Sequence, residues 1–117
     1  MDDSLTWHIT FYEECNGNCP LTKFFASLSE GDQKKIASAL RELRVRNITA
    51  RRPLIRPLGE RLWELRVKTR SNSYRLIFVW MDKYIVVLNG FQKTSQRTPR
   101  SYLKIAQRRY RDYLKRL

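Results

Sequence analysis

Residues that build metal and redox sites are scarce in this chain of 117 residues. It has one histidine, His8, and two cysteines, Cys15 and Cys19, which lie four positions apart. A structural zinc site needs a further pair of Cys or His ligands, and the CxxC spacing of redox pairs is absent. The sequence therefore predicts no metal site and no cofactor. We interpret the two cysteines as thiols of an N-terminal loop.

Long apolar runs are also missing. Runs such as the one from Tyr84 to Leu88 are far shorter than the roughly 20 residues that cross a bilayer. The N-terminal segment Met1-Asp2-Asp3 is acidic, whereas a secretory signal begins with positive charge. A hydrophobic content of 42% is too high for a disordered basic tail. We expect one soluble, cytoplasmic domain spanning residues 1–117, with no membrane partner.

Acidic residues are few, and most of them lie in the first half of the chain. The whole chain has 24 Lys and Arg against 11 Asp and Glu, a formal net charge of +13. Residues 61–117 hold 15 of the basic and only 3 of the acidic side chains. So much positive charge on a small body attracts polyanions. The functional surface is therefore predicted to lie mainly in the C-terminal half.

Hydrophobic periodicity predicts an α+β fold with the element order β-α-α-β-β-β-α. Residues 6–11 alternate like a half-buried strand, and a hairpin of two helices follows, the second ending near Asn47. Residues 51–60 contain two prolines and a glycine and predict an extended connection. Three strands, over 62–68, 74–80 and 84–92, then form an antiparallel meander because their linkers are short. We expect an antiparallel sheet of about four strands.

The last helix is predicted to begin at Thr98-Pro99, with Thr98 as its N-cap. Its inner side is lined by apolar and aromatic residues, namely Leu103, Ala106, Tyr110, Tyr113 and Leu117. Its outer side is cationic, with Arg100, Lys104, Arg108, Arg111 and Lys115. Such a stripe is typical of any exposed helix face; the alternative is that it receives an acidic partner.

Two arginines are predicted to meet on the sheet. In one antiparallel register of the strands 62–68 and 74–80, the numbers of paired residues sum to 141. This register buries the apolar face of each strand and places Arg66 opposite Arg75. Facing like charges destabilise a sheet by roughly 0.2–1 kcal/mol, whereas an anion between two guanidinium forks makes the arrangement favourable. The pair therefore predicts a phosphate site on an open sheet face. Two alternatives remain: Glu64 bridges the pair, or both side chains extend into water.

Further residues around the pair predict a track for a nucleic-acid backbone. The cationic candidates are Lys68, Arg70, Arg51, Arg52 and Arg56, with Lys93 and Arg97 after the last strand. Phe91 would stack on a base if its ring is exposed. Each of these cations also fits a solubilising surface charge, and Phe91 also fits a core ring.

Several motifs together resemble the phage-derived HigB-like branch of the RelE/ParE toxin superfamily, over residues 54–114. They are LWELR at 62–66, YRLIF at 74–78, VLNGFQK at 87–93, Thr98-Pro99, and a basic helix containing Ala106. The resemblance implies a toxin of a type II toxin–antitoxin system with a RelE-like fold. It also implies a cytosolic ribonuclease that enters the ribosome and cuts mRNA. Its partner would be a cognate helix-turn-helix, HigA-like antitoxin.

The resemblance assigns the conserved strand arginines to Arg66 and Arg75 and the lysine after the last strand to Lys93. The chain departs from the family pattern at Asn89, where a histidine is common, and at Thr94, where a second lysine is common. We expect metal-independent attack of the RNA 2′-hydroxyl on the adjacent phosphate, with the two arginines stabilising the developing charge. Lys93, whose pKa we expect the surrounding positive charge to lower, would act as acid or base. Glu64 would be a competing base or would position an arginine.

The expected RNA- or ribosome-binding residues are Lys68, Arg70, Arg56, Phe91 and Arg97. The expected function is a ribosome-dependent mRNA endoribonuclease. The alternative is a ParE-like protein that inhibits DNA gyrase without chemistry, because fold and charge do not separate the two activities.

Overall fold

Three helices and five strands make up the parts of the chain that a computed structural model describes, residues 7–46, 54–94 and 98–117. In chain order they are β1 (His8–Phe11), α1 (Pro20–Ala26), α2 (Glu30–Arg46), β2 (Ile55–Gly59), β3 (Leu62–Lys68), β4 (Ser73–Met81), β5 (Tyr84–Gln92) and α3 (Arg100–Lys115). The α+β class and the antiparallel meander β3-β4-β5 are confirmed. The predicted end of the second helix near Asn47, like Arg51, Arg52 and Arg97, lies outside the described residues.

The sheet differs from the prediction in strand number and direction. It has five strands in the order β1-β5-β4-β3-β2, and β1 pairs with β5 in parallel. The expectation of an all-antiparallel sheet was wrong because α1 and α2 carry the chain from β1 to β2 at the opposite edge. No short hairpin loop therefore fixes the direction in which β1 pairs with β5. The extended connection contains β2, an edge strand. Pro57 is tolerated there because an edge strand needs no hydrogen-bond donor on its outer side.

The sheet is covered on both faces. Helices α1 and α2 pack on one face, where the predicted inner residues Ile36, Leu40 and Leu43 are buried. Helix α3 packs on the other face over a second apolar cluster that includes Ile77, Val79, Val86, Leu88 and Ala106. The predicted open face is therefore partly closed, because β4 carries apolar side chains on both faces and each face needs a cover. Leu117, expected on the inner side of the last helix, is 76% exposed beyond the helix end.

A β-bulge in β5 helps to anchor α3. The register shifts between Ile77 and Phe78, so that Asn89 pairs with Ile77 and Val87 with Phe78. The extra residue, Leu88, has a carbonyl that accepts a hydrogen bond from Nη1 of Arg109 on α3. Nδ2 of Asn89 donates to the carbonyl of Tyr102. These bonds tie α3 to β5 at two points along the helix.

Helix length and composition also bear on membrane association. Within residues 7–46, 54–94 and 98–117, no helix combines the length and apolarity needed to span a bilayer.

Candidate functional site

The predicted pairing of two arginines is present in the sheet. Arg66 on β3 lies opposite Arg75 on β4, in the same register that pairs Leu65 with Leu76. On the other side of β3, Arg56 of β2 pairs with Glu64. Side chains two positions apart on a strand share a face. Three strands therefore bring three guanidinium groups and one carboxylate to the same face of the sheet.

Glu64 is at the centre of this group, and its side chain is only 1% exposed. Its Oε1 atom lies 3.4 Å from Nε of Arg56, 3.5 Å from Nε of Arg75 and 4.0 Å from Nε of Arg66. The open alternative that Glu64 bridges the arginine pair is the arrangement that the structure shows. One carboxylate offsets the mutual repulsion of three cations, which explains how facing arginines are tolerated.

Thr98 also contacts Glu64, and sequence reasoning missed this contact. The Thr98 hydroxyl donates a hydrogen bond of 2.5 Å to Oε2 of Glu64. The prediction of Thr98 as the N-cap of the last helix was wrong: Pro99 precedes the first helical residue, and no side chain caps the helix. The hydroxyl binds the buried carboxylate instead, since a charged acceptor forms a stronger hydrogen bond than a backbone group does. No local sequence signal marks this pairing across 34 positions.

The cation cluster, defined as Arg56, Glu64, Arg66, Arg75 and Lys93, is not fully satisfied by its own contacts. Oε1 of Glu64, Nε of Arg66 and Nε of Arg75 are buried and have no hydrogen-bond partner among the described residues. Separations of 3.4–4.0 Å are ion-pair distances, too long for strong hydrogen bonds. Four cations against one carboxylate leave an excess of positive charge. Such a cluster suits an anionic ligand with several oxygens.

Exposure differs among the three arginines. The side chains of Arg56 and Arg66 are 36% and 34% exposed, whereas that of Arg75 is 12% exposed. Arg75 also donates from Nη1 to the carbonyl of Tyr74. Burial lowers the pKa of Arg75, and the neighbouring Arg66 and Arg56 lower it further against the opposing effect of Glu64. The cluster is therefore partly buried, and Arg75 is the most buried of its three arginines.

Lys93 lies directly after β5, where its backbone N–H donates to the carbonyl of Ser73. It shares the face of Arg75 because it is two positions beyond Phe91, the partner of Arg75. Partial burial lowers the pKa of the Lys93 ammonium, and the positive charge of Arg75 lowers it next most strongly. The prediction attributed this pKa shift to neighbouring charge, but burial is the larger cause.

Phe91 does not form the exposed stacking platform that was predicted. Its ring is 3% exposed and stacks on the ring of Tyr102 with centroids 4.0 Å apart and planes 2° from parallel. The ring instead occupies the core position that the sequence left open, because the first turn of α3 covers the end of the strand. Tyr102, which provides this cover, is half-buried and was not identified from the sequence.

Two other predicted contacts, Lys68 and Arg70, lie beside the cation cluster around the sheet edge. One groove is lined by Arg66, Lys68 and Lys35 of α2, and a neighbouring groove by Lys35, Lys68 and Arg70. Lys35 extends this basic surface and was not among the predicted residues. The structure thus brings most of the predicted cations together and places Phe91 in the core.

Metal ligands do not gather in the described part of the chain, where no group of three or more His, Cys, Asp or Glu side chains is close enough to hold an ion.

The family model described as Phage derived protein Gp49-like matches residues 23–111. That range is more than half of the chain and contains every residue of the cation cluster. The chain belongs to this family. The Gp49-like family is a RelE/HigB-like toxin family, which agrees with the toxin resemblance of the strand motifs. A search among curated proteins finds no significant match.

Proposed function

We propose that this Gp49-like chain is the toxin of a type II toxin–antitoxin system and acts as a ribosome-dependent mRNA endoribonuclease. The observation that carries the proposal is the cation cluster, in which several cations surround one buried carboxylate and leave Nε donors unused. A phosphodiester offers oxygens that match guanidinium forks. Its cytoplasmic location and a helix-turn-helix, HigA-like antitoxin partner belong to the same proposal.

The proposed reaction uses the substrate's own nucleophile. The 2′-oxygen forms a bond to the adjacent phosphorus, and the bond from phosphorus to the 5′-oxygen breaks. The products are a 2′,3′-cyclic phosphate and a 5′-hydroxyl. Arg66 and Arg75 stabilise the extra negative charge on the phosphorus oxygens in the transition state, and such electrostatic stabilisation is usually the largest contribution to catalysis.

Lys93 is the proposed proton donor to the leaving 5′-oxygen. Its lowered pKa brings the ammonium closer to the operating pH, which favours proton transfer. Glu64 is a poor candidate for the base because its carboxylate is buried among three arginines and accepts from Thr98. Its proposed role is to position the guanidinium groups. The proton of the 2′-hydroxyl leaves to water.

Dependence on the ribosome follows from the small set of acid–base groups. An enzyme with one proton donor and no dedicated base gains most from a substrate that is already held for attack. Positioning of that kind supplies several kcal/mol, on the order of 7–11 kcal/mol in well-oriented systems. The ribosome would provide it by holding the mRNA.

Primer extension on a translated mRNA tests this function. Expression of the chain in bacteria is expected to create new 5′ ends within translated reading frames and to arrest growth, and Arg66→Ala is expected to create neither. A gyrase supercoiling assay on the purified chain tests the ParE-like alternative. Intact mRNA together with inhibited supercoiling would replace the ribonuclease proposal with the gyrase proposal.

A further inference from the structure

A groove of about 650 Å³ lies beyond the end of the β3–β4 pairing that is remote from Lys93. The last residue pair of the two strands there is Trp63 with Phe78, so Trp80 and Met81 extend past β3. Together with Tyr110 and Leu114 of α3 they line the groove. None of the groove residues belongs to the cation cluster. The groove is therefore a separate feature of the molecule.

Backbone strain is concentrated around this groove. Glu60, Arg61 and Asp82 have φ angles of 51°, 70° and 55°, and they are the three non-glycine residues with positive φ in the described part of the chain. All three line the groove. A non-glycine residue in this region costs about 1–2 kcal/mol, and such strain is concentrated at functional sites.

The turn at Glu60-Arg61 shows this most clearly. Hairpin turns with two positive φ angles favour Asn-Gly, yet the chain places two long charged side chains there. The Glu60 carboxylate accepts a hydrogen bond from Nε2 of Gln107 on α3, which ties the turn to the helix. Arg61 remains exposed at the groove. The bond to Gln107 accounts for Glu60, whereas no contact within the described residues accounts for Arg61.

Charge on the adjacent helix face is unbalanced. Five exposed cations follow one face of α3, namely Arg100, Lys104, Arg108, Arg111 and Lys115. In residues 7–46, 54–94 and 98–117, none of the five has an acidic side chain within ion-pair distance. Arg111 belongs both to this stripe and to the groove. The stripe and the groove thus form one continuous surface with a cationic side and an apolar floor.

The apolar floor is accessible. The Leu114 side chain is 42% exposed although it belongs to a helix that packs on the sheet. Met81 and Tyr110, which also line the groove, are half-buried. The floor therefore presents accessible apolar surface.

We propose that this groove and the cationic face of α3 dock an acidic, amphipathic segment of a partner protein. Apolar side chains of the segment lie between Tyr110, Leu114 and Met81, and its carboxylates pair with Arg111, Arg61 and the stripe. Charge complementarity with the stripe favours an acidic segment, and the apolar floor of the groove favours apolar side chains, which a nucleic-acid backbone does not offer. Docking there leaves the cation cluster open, so the inference does not depend on the proposed reaction.

A peptide library displayed on phage tests the proposal with the full chain as bait. Random 16-residue peptides are selected at physiological salt, and the affinities of the enriched peptides are measured by fluorescence anisotropy. Two groove variants, Arg111→Glu and Leu114→Asp, are compared with two matched controls on α2, Arg44→Glu and Val45→Asp. Both controls make the same charge change at exposed residues outside the groove.

Enriched peptides are expected to combine acidic and apolar residues. They should bind the groove variants at least about tenfold more weakly than the parent chain, a loss of about 1.4 kcal/mol. They should bind the controls with unchanged affinity. Equal losses in the groove variants and the controls would show non-specific attraction to a cationic chain and would overturn the proposal. So would the absence of enriched peptides. If light scattering detects self-association and Leu114→Asp abolishes it, the groove binds a second copy of this chain. That result would also overturn the proposal.

Discussion

The two faces of the β3–β4 pair are built by the same alternation and have opposite chemistry. On one face, Leu65, Leu76 and Phe78 are buried against α1 and α2. On the other face, Glu64, Arg66 and Arg75 gather at the start of α3. On the first face, burial of apolar side chains against this cover stabilises the fold. On the second face, α3 covers the apolar residues Ile77 and Val79, and the buried carboxylate of Glu64 holds the neighbouring cations close together.

The largest expected effect concerns proton transfer on the charged face. Lys93→Met is expected to reduce mRNA cleavage by roughly 10²–10⁴-fold, since general acid catalysis contributes that much. The ammonium is present below its pKa, so cleavage should fall as pH rises through that lowered value. Lys93→Arg keeps the charge and should move this decline to higher pH. Lys23→Met, at an exposed position of α1 outside the cation cluster, is the matched control. Unchanged cleavage by Lys93→Met would remove the lysine from the mechanism.

Removing the central carboxylate tests what holds the charged face together. Glu64→Gln is expected to lower the free energy of unfolding by roughly 2–4 kcal/mol, because it leaves three cations without their buried partner. Phosphate ions should raise the Tm of this variant more than they raise the Tm of the parent chain. Glu30→Gln, at the exposed ion pair with Lys34, should change stability by at most about 0.5 kcal/mol. Equal effects of the two substitutions in denaturant titrations would contradict this assignment of Glu64.

The apolar face is tested at Gly90. A Cβ atom there would lie 2.8 Å from Cδ2 of Leu76 and 2.9 Å from Cε2 of Phe24, so Gly90→Ala is expected to destabilise the chain by about 1–3 kcal/mol. Gly31→Ala in α2 meets no atom within 4 Å and should stabilise by up to about 1 kcal/mol. Thermal melts that show the same sign for both substitutions would argue against the close packing at Gly90.

The smallest effect concerns a polar contact at the rim of the apolar face. The hydroxyl of Tyr74 and the side-chain amide of Asn72 donate to Asp32 and lower the pKa of its carboxyl below the usual 3.8. This contribution to stability is present above the unfolded pKa and is lost as pH falls through the lower folded pKa. The Tm difference between the parent chain and Asp32→Asn should therefore shrink from pH 7 to pH 3. A constant difference would mean that Asp32 stabilises the chain through contacts that do not depend on its charge.

Sequence reasoning predicted the parts of the fold that depend on local periodicity. The three meander strands, the inner faces of α2 and most of α3, and the pairing of Arg66 with Arg75 follow from alternation and short linkers. The parallel pairing of β1 and the edge strand β2 depend on how distant segments meet, which local periodicity does not encode. The same is true of the contact between Thr98 and Glu64 and of the burial of Phe91 under Tyr102.

The central claim is that the arginines around Glu64 act on the scissile phosphate. Single-turnover cleavage of mRNA on programmed ribosomes by Arg66→Ala and Arg75→Ala tests it most directly, with Arg44→Ala as the control and circular dichroism to verify folding. We expect a loss of at least about 100-fold for each cluster variant, the amount that one electrostatic donor typically contributes. Cleavage within about twofold of the parent chain by folded Arg66→Ala and Arg75→Ala would contradict it.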